Sequence, residues 1–208
     1  MSAFVVALLG AESTGKTTLA QDLGQALEAR GERVAVVGEY LREFCAREGR
    51  TPRIDEQRGI AAEQSRRIAA AAAAHDVVVA DTSALMIAVY SDHVFGDLGL
   101  YDEALAAHAR CQLTLLTALD LPWQADGHQR DGPHVREPVD AKVRAALARA
   151  ALDCSVVFGQ GPARLANALA AVERARRVPE ALPEGRRWRW VCERCGDAEC
   201  ERHWLPPL

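Results

Sequence analysis

The stretch that decides the fold is Gly10-Ala11-Glu12-Ser13-Thr14-Gly15-Lys16-Thr17, which directly follows the apolar run Phe4–Leu9. A glycine, four residues and then Gly-Lys-Thr form the P-loop pattern, which requires a buried strand before it and a helix after it. In such a loop the backbone N–H groups point at a polyphosphate, and the positive end of the next helix adds to the attraction. The stretch therefore predicts a nucleotide triphosphate site; the alternative is a chance glycine-rich turn.

The individual residues of the loop have expected roles. We expect Lys16 to reach the β- and γ-phosphates of ATP and the Thr17 hydroxyl to bind Mg²⁺. The expected nucleotide-binding residues are Gly10, Ser13, Thr14, Gly15, Lys16, Thr17 and Thr18.

Length and composition limit the classes of protein that fit. The chain has 208 residues, 49% of them hydrophobic, which suits one core with a small appendage. The net charge of −4 gives no overall basic field, so nucleic acid is not an expected partner. No apolar run reaches the ~18 residues of a membrane span, and the P-loop begins too early to follow a signal peptide. We expect a cytoplasmic protein that does not cross a membrane.

Four further apolar runs, at 34–38, 77–81, 112–117 and 154–158, alternate with helical patterns. Such runs between helices are typical of a parallel sheet that is buried on both faces. The sequence predicts an α/β P-loop NTPase fold with a central, mainly five-stranded parallel sheet flanked by helices. We place this domain at 1–177, a linker at 178–187 and a small module at 188–208. The predicted helices cover about 17–30, 39–48, 55–74, 83–90, 101–110, 139–152 and 162–176.

Two carboxylates follow predicted strands, where open parallel sheets bind their ligands. Glu39 follows the second apolar run, at the position where P-loop kinases of small molecules place the carboxylate that accepts the acceptor hydroxyl's proton. The alternative is a first-turn acid that the helix dipole favours. Asp81 closes the third run and is placed to hold Mg²⁺; the alternative, which is compatible with that role, is an N-cap.

A polar stretch of seventeen residues, 120–136, follows the fourth run. A polar loop of this length inside a compact domain is usually functional, and we interpret it as a lid. Arg130 and Arg136 are expected to neutralise charge on the transferred phosphoryl group. Trp123 and Asp126 are candidates for substrate binding, and hinge packing is the alternative for the tryptophan.

Several of these motifs occur together in one order. They are the P-loop itself, Glu39-Tyr40 with Arg42-Glu43, Asp55…Ile60-Ala61…Gln64, Asp81-Thr82, and Pro122-Trp123…Asp126-Gly127…Arg130. In this combination the chain resembles, over roughly residues 4–175, the ribosylnicotinamide kinase domain of NadR-type proteins and related AAA-family ATPases.

The resemblance implies ATP-dependent phosphorylation of nicotinamide riboside with Mg²⁺. The expected acceptor contacts are Glu39, Tyr40, Arg42, Trp123 and Asp126. A tryptophan precedes the Glu-Tyr pair in that family, whereas Gly38 stands here, so a related nucleoside stays open as acceptor. The competing class is an ATPase or GTPase that uses hydrolysis as a switch, with its tail binding a partner.

The end of the chain carries a separate cluster of metal-ligand types. Cys192, Cys195, Cys200 and His203 lie within residues 188–204 and suit a closed, tetrahedral, structural zinc site. A redox-active Cys-x-x-Cys pair and a tail with incidental thiols are the alternatives. A nucleic-acid-associated factor acting through this module is a third function, which the interleaved acidic residues disfavour. The scattered cysteines are expected to be core residues: Cys45, Cys111 and Cys154.

Overall fold

The computed structural model describes residues 3–124 and 132–177. Five strands alternate with seven α-helices in this part of the chain. The strands are β1 (Phe4–Leu9), β2 (Val34–Val37), β3 (Val77–Asp81), β4 (Leu113–Thr117) and β5 (Ser155–Val157). The helices are α1 (Lys16–Glu28), α2 (Tyr40–Glu48), α3 (Gln57–Ala74), α4 (Ala84–Phe95), α5 (Tyr101–His108), α6 (Arg136–Arg149) and α7 (Gly161–Arg176). Single 3₁₀ turns precede α3 and α6, at Ile54–Glu56 and Pro133–Val135.

The strands pair in parallel in the order β2-β3-β1-β4-β5. In the central strand, Val6 pairs with Val79 of β3 and with Leu113 of β4. Strands β3 and β4 are buried along their whole length, because helices cover both faces of the sheet. The edge strands β2 and β5 expose Val36 and Val156. The predicted parallel five-stranded α/β architecture is confirmed.

Two hydrophobic clusters fix the helices on the sheet. Helices α1 and α7 pack on one face, where Leu23 and Val172 are fully buried. Helices α3 to α6 pack on the other face, around Leu85 and Val143. Burying one such side chain contributes roughly 1.5–3 kcal/mol. No helix in residues 3–124 or 132–177 is both long enough and apolar enough to cross a bilayer.

Helices α4 and α6 differ most from the sequence prediction. Helix α4 continues past residue 90, because Ser91 is buried and donates to Asp97, and the helix ends only where Gly96 takes a left-handed conformation. Helix α6 begins at Arg136, three residues before the predicted start. Pro138 is tolerated there because N–H groups of a first helical turn have no intrahelical partner. The predicted polar loop therefore ends earlier than expected.

Of the scattered cysteines, Cys45 is buried, Cys111 is half-buried and Cys154 is exposed. The core prediction is wrong for Cys154, because the short edge strand β5 begins only at the next residue.

His108 is a buried histidine that orients the chain after β3. Its Nδ1 lies 2.9 Å from the Ser83 hydroxyl and its Nε2 lies 2.9 Å from the hydroxyl of Thr114. Burial lowers the pKa of His108 to about 4, so the ring is neutral at pH 7. Because Ser83 also accepts a hydrogen bond from the N–H of Leu85, it is the N-cap of α4. These bonds fix the turn that carries Asp81.

Candidate active site

The P-loop lies between β1 and α1, and its two glycines are required by its geometry. Gly10 has φ +148° and Gly15 has φ +73°, conformations that side chains disfavour. A Cβ on Gly10 would overlap the Thr117 hydroxyl, and one on Gly15 would approach Leu121 Cδ1 to 2.9 Å. The loop therefore fits only glycine at both positions.

A buried threonine pair supports the loop from beneath. The Thr117 hydroxyl, at the end of β4, lies 2.7 Å from Thr14 Oγ1 and 3.1 Å from the carbonyl oxygen of Leu9. Thr14 in turn donates to the Ala11 carbonyl at 2.8 Å. These bonds tie the loop to two neighbouring strands and hold its backbone in a preorganised form.

Lys16 and Thr17 begin α1. Lys16 Nζ donates to the carbonyl oxygens of Gly10 and Ala11 at 2.9 and 2.8 Å, which holds the ammonium group at the loop. The Thr17 hydroxyl donates to Asp81 Oδ2 at 2.6 Å. The first turn of α1 and the end of β3 are thus joined directly, and Ser83 rather than Asp81 is the N-cap of α4.

The Thr17 and Asp81 oxygens fit a magnesium ion. Asp81 Oδ1 is buried, and it has no hydrogen-bond partner among the described residues. Mg²⁺ prefers carboxylate and hydroxyl oxygens, and it balances the charge of a buried carboxylate. The donor set therefore matches the cation expected with a nucleotide triphosphate.

Thr82 is a strained residue beside this set. Its φ of +85° is an outlier for a β-branched side chain, and such strain clusters at functional sites. Its hydroxyl is buried, and none of the residues described in the structure bonds to it.

We expect Thr82→Val to raise the free energy of unfolding by about 1 kcal/mol, because a buried hydroxyl without a partner is replaced by a methyl group of similar size. Urea unfolding of both proteins measures the difference. If the free energy of unfolding instead fell by more than about 1 kcal/mol, the Thr82 hydroxyl would have a hydrogen-bond partner, and the prediction would be wrong.

Glu39 is the N-cap residue of α2, and its side chain is only 13% exposed. Gln64 of α3, fully buried, clamps the backbone on both sides of it. Gln64 Oε1 accepts from the Tyr40 N–H at 2.8 Å, and Gln64 Nε2 donates to the Gly38 carbonyl at 3.2 Å. Arg42 Nε lies 3.7 Å from Glu39 Oε2. The carboxylate is thereby held in one place beside a cation.

Tyr40 is half-buried and packs against the hydrophobic cluster that contains residues of α3 to α6. The guanidinium carbon of Arg67 lies 4.4 Å from the centre of its ring. An arginine therefore already contacts the aromatic surface that was expected to contact the acceptor.

A cleft of about 630 Å³ opens over the P-loop. Three cations contribute to its walls: Lys16, Arg42 and Arg164. Its lining is made of residues 13–19, Asp22, Arg42, Leu121, Pro122, Gln124, Gln160, Gly161 and Arg164. The cleft is large enough for a nucleotide.

The start of the predicted lid is attached to the P-loop. The Ser13 hydroxyl accepts from the Gln124 N–H at 2.8 Å and lies 3.2 Å from the Gln124 carbonyl oxygen. Pro122 and Leu121 line the cleft beside it. One P-loop side chain thus fixes the backbone where the polar loop begins.

The other residues predicted in the lid are placed differently. Arg136 is buried at the first position of α6, and its Nη1 donates to the Leu121 carbonyl at 2.9 Å. Its Nε and Nη2 have no partner within the described ranges. Trp123 is half-buried and is not among the described residues that line the cleft. Asp126 and Arg130 lie outside the described residues.

The predicted zinc ligands, Cys192, Cys195, Cys200 and His203, also lie outside the described residues. In residues 3–124 and 132–177, no group of three or more His, Cys, Asp or Glu side chains is arranged to hold a metal ion. The zinc module stays a prediction.

Sequence reasoning gave no role to two buried polar residues that act on the site, although Gln64 belongs to the motifs of the resemblance. Gln64 falls between Ile60 and Ile68 on the inner face of α3, and Arg164 falls four residues before Ala168 on the inner face of α7. A polar side chain inside an apolar helical stripe is the signal in both cases, since burying it requires hydrogen-bond partners.

The P-loop, the aspartate at the end of β3 and the strand order 2-3-1-4-5 define the fold of a P-loop NTPase. A family model described as an AAA domain matches residues 5–164, well over half of the chain. The chain belongs to this AAA-domain family.

Two of the solved structures with a similar fold are complexes of NadR protein. One is a crystal structure of NadR protein in complex with NR, with a TM-score of 0.69 and 20% identity over 83% of this chain. The other is NadR protein in complex with NAD and AMP-PNP, with a TM-score of 0.67 and 21% identity over 83% of this chain. The alignments span 50% and 49% of those chains, about half of their length. No curated protein sequence matches this chain.

Proposed function

We propose that this protein is an ATP-dependent kinase of a small molecule, with nicotinamide riboside or a related nucleoside as the acceptor. The P-loop site and the AAA-domain family support a nucleotide as the donor. The likeness to NadR complexes with NR and with AMP-PNP supports the pairing of a nucleoside-like ligand with an ATP-type donor.

One observation carries the proposal: Arg42 connects the carboxylate of Glu39 to the phosphate cleft. Arg42 lines the cleft, and its Nε lies 3.7 Å from Glu39 Oε2. A kinase needs such a carboxylate to accept the proton of the acceptor hydroxyl. A carboxylate in this position can act on water as well as on an acceptor hydroxyl, so acceptor-dependent turnover is what separates the kinase from the hydrolytic switch.

On the donor side, the P-loop N–H groups and Lys16 bind the β- and γ-phosphates. Thr17 and Asp81 would hold Mg²⁺, which neutralises phosphate charge when it is bound. Arg42 adds a cation at the cleft, where the transferred group carries its charge.

On the acceptor side, Glu39 orients the acceptor hydroxyl and takes its proton. The oxygen of that hydroxyl forms a bond to the γ-phosphorus, the bond from the γ-phosphorus to the β,γ-bridging oxygen breaks, and ADP leaves with the electron pair. Gln64 fixes the position of Glu39 through the two flanking peptides. Such positioning is a main source of rate enhancement in phosphoryl transfer.

Release of ADP, followed with and without candidate acceptors, tests the proposal. We expect turnover to rise at least tenfold when nicotinamide riboside or a related nucleoside is added, since water is a poor substitute for a positioned hydroxyl. Slow release of ADP at one rate, whatever acceptor is added, would favour the hydrolytic switch instead. A reaction without Mg²⁺ is the blank.

A further inference from the structure

A buried cation at the start of α7, which also lines the cleft, contacts the backbone of the P-loop. Arg164 is 4% exposed, and its Nη2 donates to the Thr14 carbonyl at 2.7 Å. Its Nη1 donates to Asp120 Oδ1 at 2.9 Å and to the Gly159 carbonyl at 2.8 Å. The guanidinium therefore joins three loops, those after β1, β4 and β5.

The acceptors of Arg164 are themselves fixed. Asp120 Oδ2 accepts from the Gly159 N–H at 2.6 Å. Burial acts to raise the pKa of Asp120, but the Gly159 N–H and the Arg164 charge outweigh it and hold the pKa below its ordinary value. The carboxylate is thus charged at neutral pH and anchors one side of the guanidinium, while the other side holds Thr14.

The bond to Thr14 bears on phosphate binding because a peptide unit is planar. The carbonyl of Thr14 and the N–H of Gly15 belong to one trans peptide and point in opposite directions. A donor that holds the Thr14 carbonyl in one direction therefore also fixes the direction of the Gly15 N–H. In a P-loop the inner N–H groups are the ones that bind phosphate.

We propose that Arg164 is a positioning residue for phosphate binding, which acts through the Thr14–Gly15 peptide and is itself anchored by Asp120. The proposal rests on the proposed function only in that the cleft binds a nucleotide. Its effect depends on geometry, since three acceptors are reached in fixed directions by one planar guanidinium group. A lysine at this position keeps the charge but has a single ammonium group in place of that fork.

The test compares Arg164→Lys and Arg164→Gln with the wild type in binding ATP, ADP and AMP, by competition against a fluorescent ATP analogue without any acceptor. We expect both variants to lose tenfold to a hundredfold in affinity for ATP and ADP and to keep their affinity for AMP. Arg176→Gln, with the same charge change on the same helix, is the control and should bind all three as the wild type does. Asp120→Asn should give a smaller loss in the same direction.

Three outcomes are distinguishable. If folded Arg164→Lys keeps the wild-type ratio of ATP affinity to AMP affinity, the inference is overturned. In that case the positive charge alone, or a contribution to stability alone, explains the effect of Arg164. If Arg164→Gln does not fold, Arg164→Lys and Asp120→Asn still give that ratio. A wild-type protein that binds ATP no better than AMP contradicts the proposed function itself.

Discussion

Lys16→Ala is expected to lower turnover with ATP by at least ~10³-fold, equivalent to about 4 kcal/mol of transition-state stabilisation. The ammonium group of Lys16 is held at the P-loop by the carbonyls of Gly10 and Ala11. From there it can bind the β- and γ-phosphates of ATP. No other lysine lies in the P-loop or in α1 to neutralise their charge. Steady-state rates of ADP release in the presence of acceptor measure the loss.

The chain provides a matched control for this variant. It contains only two lysines, and the second, Lys142, pairs with Asp92 at 2.7 Å, away from the residues that line the cleft. Lys142→Ala should keep the wild-type rate. If folded Lys16→Ala released ADP at a rate within tenfold of the wild type, the proposed role of the P-loop in the reaction would be wrong.

Asp81→Asn is expected to lower turnover by about 10²-fold and to raise the Mg²⁺ concentration needed for half-maximal rate. The amide keeps the shape of the carboxylate but loses the negative charge that would hold the cation. It also changes the acceptor of the Thr17 hydroxyl, which now lies 2.6 Å from Asp81 Oδ2. Rates measured over a series of Mg²⁺ concentrations separate the loss of metal affinity from a loss of rate at saturation.

Asp76→Asn is the control for this change, since Asp76 forms an exposed pair with Arg33 and pairs of that kind contribute little. It should leave the magnesium dependence of the rate unaltered. An Asp81→Asn variant with wild-type magnesium dependence would contradict the assignment of Asp81 to the metal.

The sheet could be predicted from the sequence because its strands are buried on both faces. Five apolar runs predict five strands, and the strands lie within one or two residues of those runs. The P-loop followed from its pattern, since Gly10 and Gly15 occupy positions that exclude a side chain. These features depend on residues that are close together in the chain, so a short sequence pattern is enough to predict them.

The site is less predictable because it depends on contacts between distant residues. Arg136 is expected over the phosphoryl group, which stays a prediction; the structure adds that it is buried at the start of α6 and donates to the carbonyl of Leu121, a residue that lines the cleft. Arg42 was expected only at the acceptor, and it also lines the phosphate cleft. The positions of such long side chains follow from the packing of several elements together, which spacing alone does not encode.

The supporting residues required the structure for the same reason. Gln64 bonds to residues 24 and 26 positions away, and Arg164 bonds to Thr14, 150 positions away. A sequence indicates that a polar side chain is buried in an apolar helix face. It does not indicate which backbone group satisfies that side chain.

The fate of the γ-phosphate tests the central claim most directly. ATP labelled at the γ-phosphate is incubated with the protein, Mg²⁺ and nicotinamide riboside or a related nucleoside, and the label is counted in the nucleotide product and in inorganic phosphate. For the acceptor that the protein uses, we predict that most of the label enters the nucleotide product, and that Lys16→Ala transfers label at least ~10³-fold more slowly. Label that appears only as inorganic phosphate with every nucleoside would contradict the account.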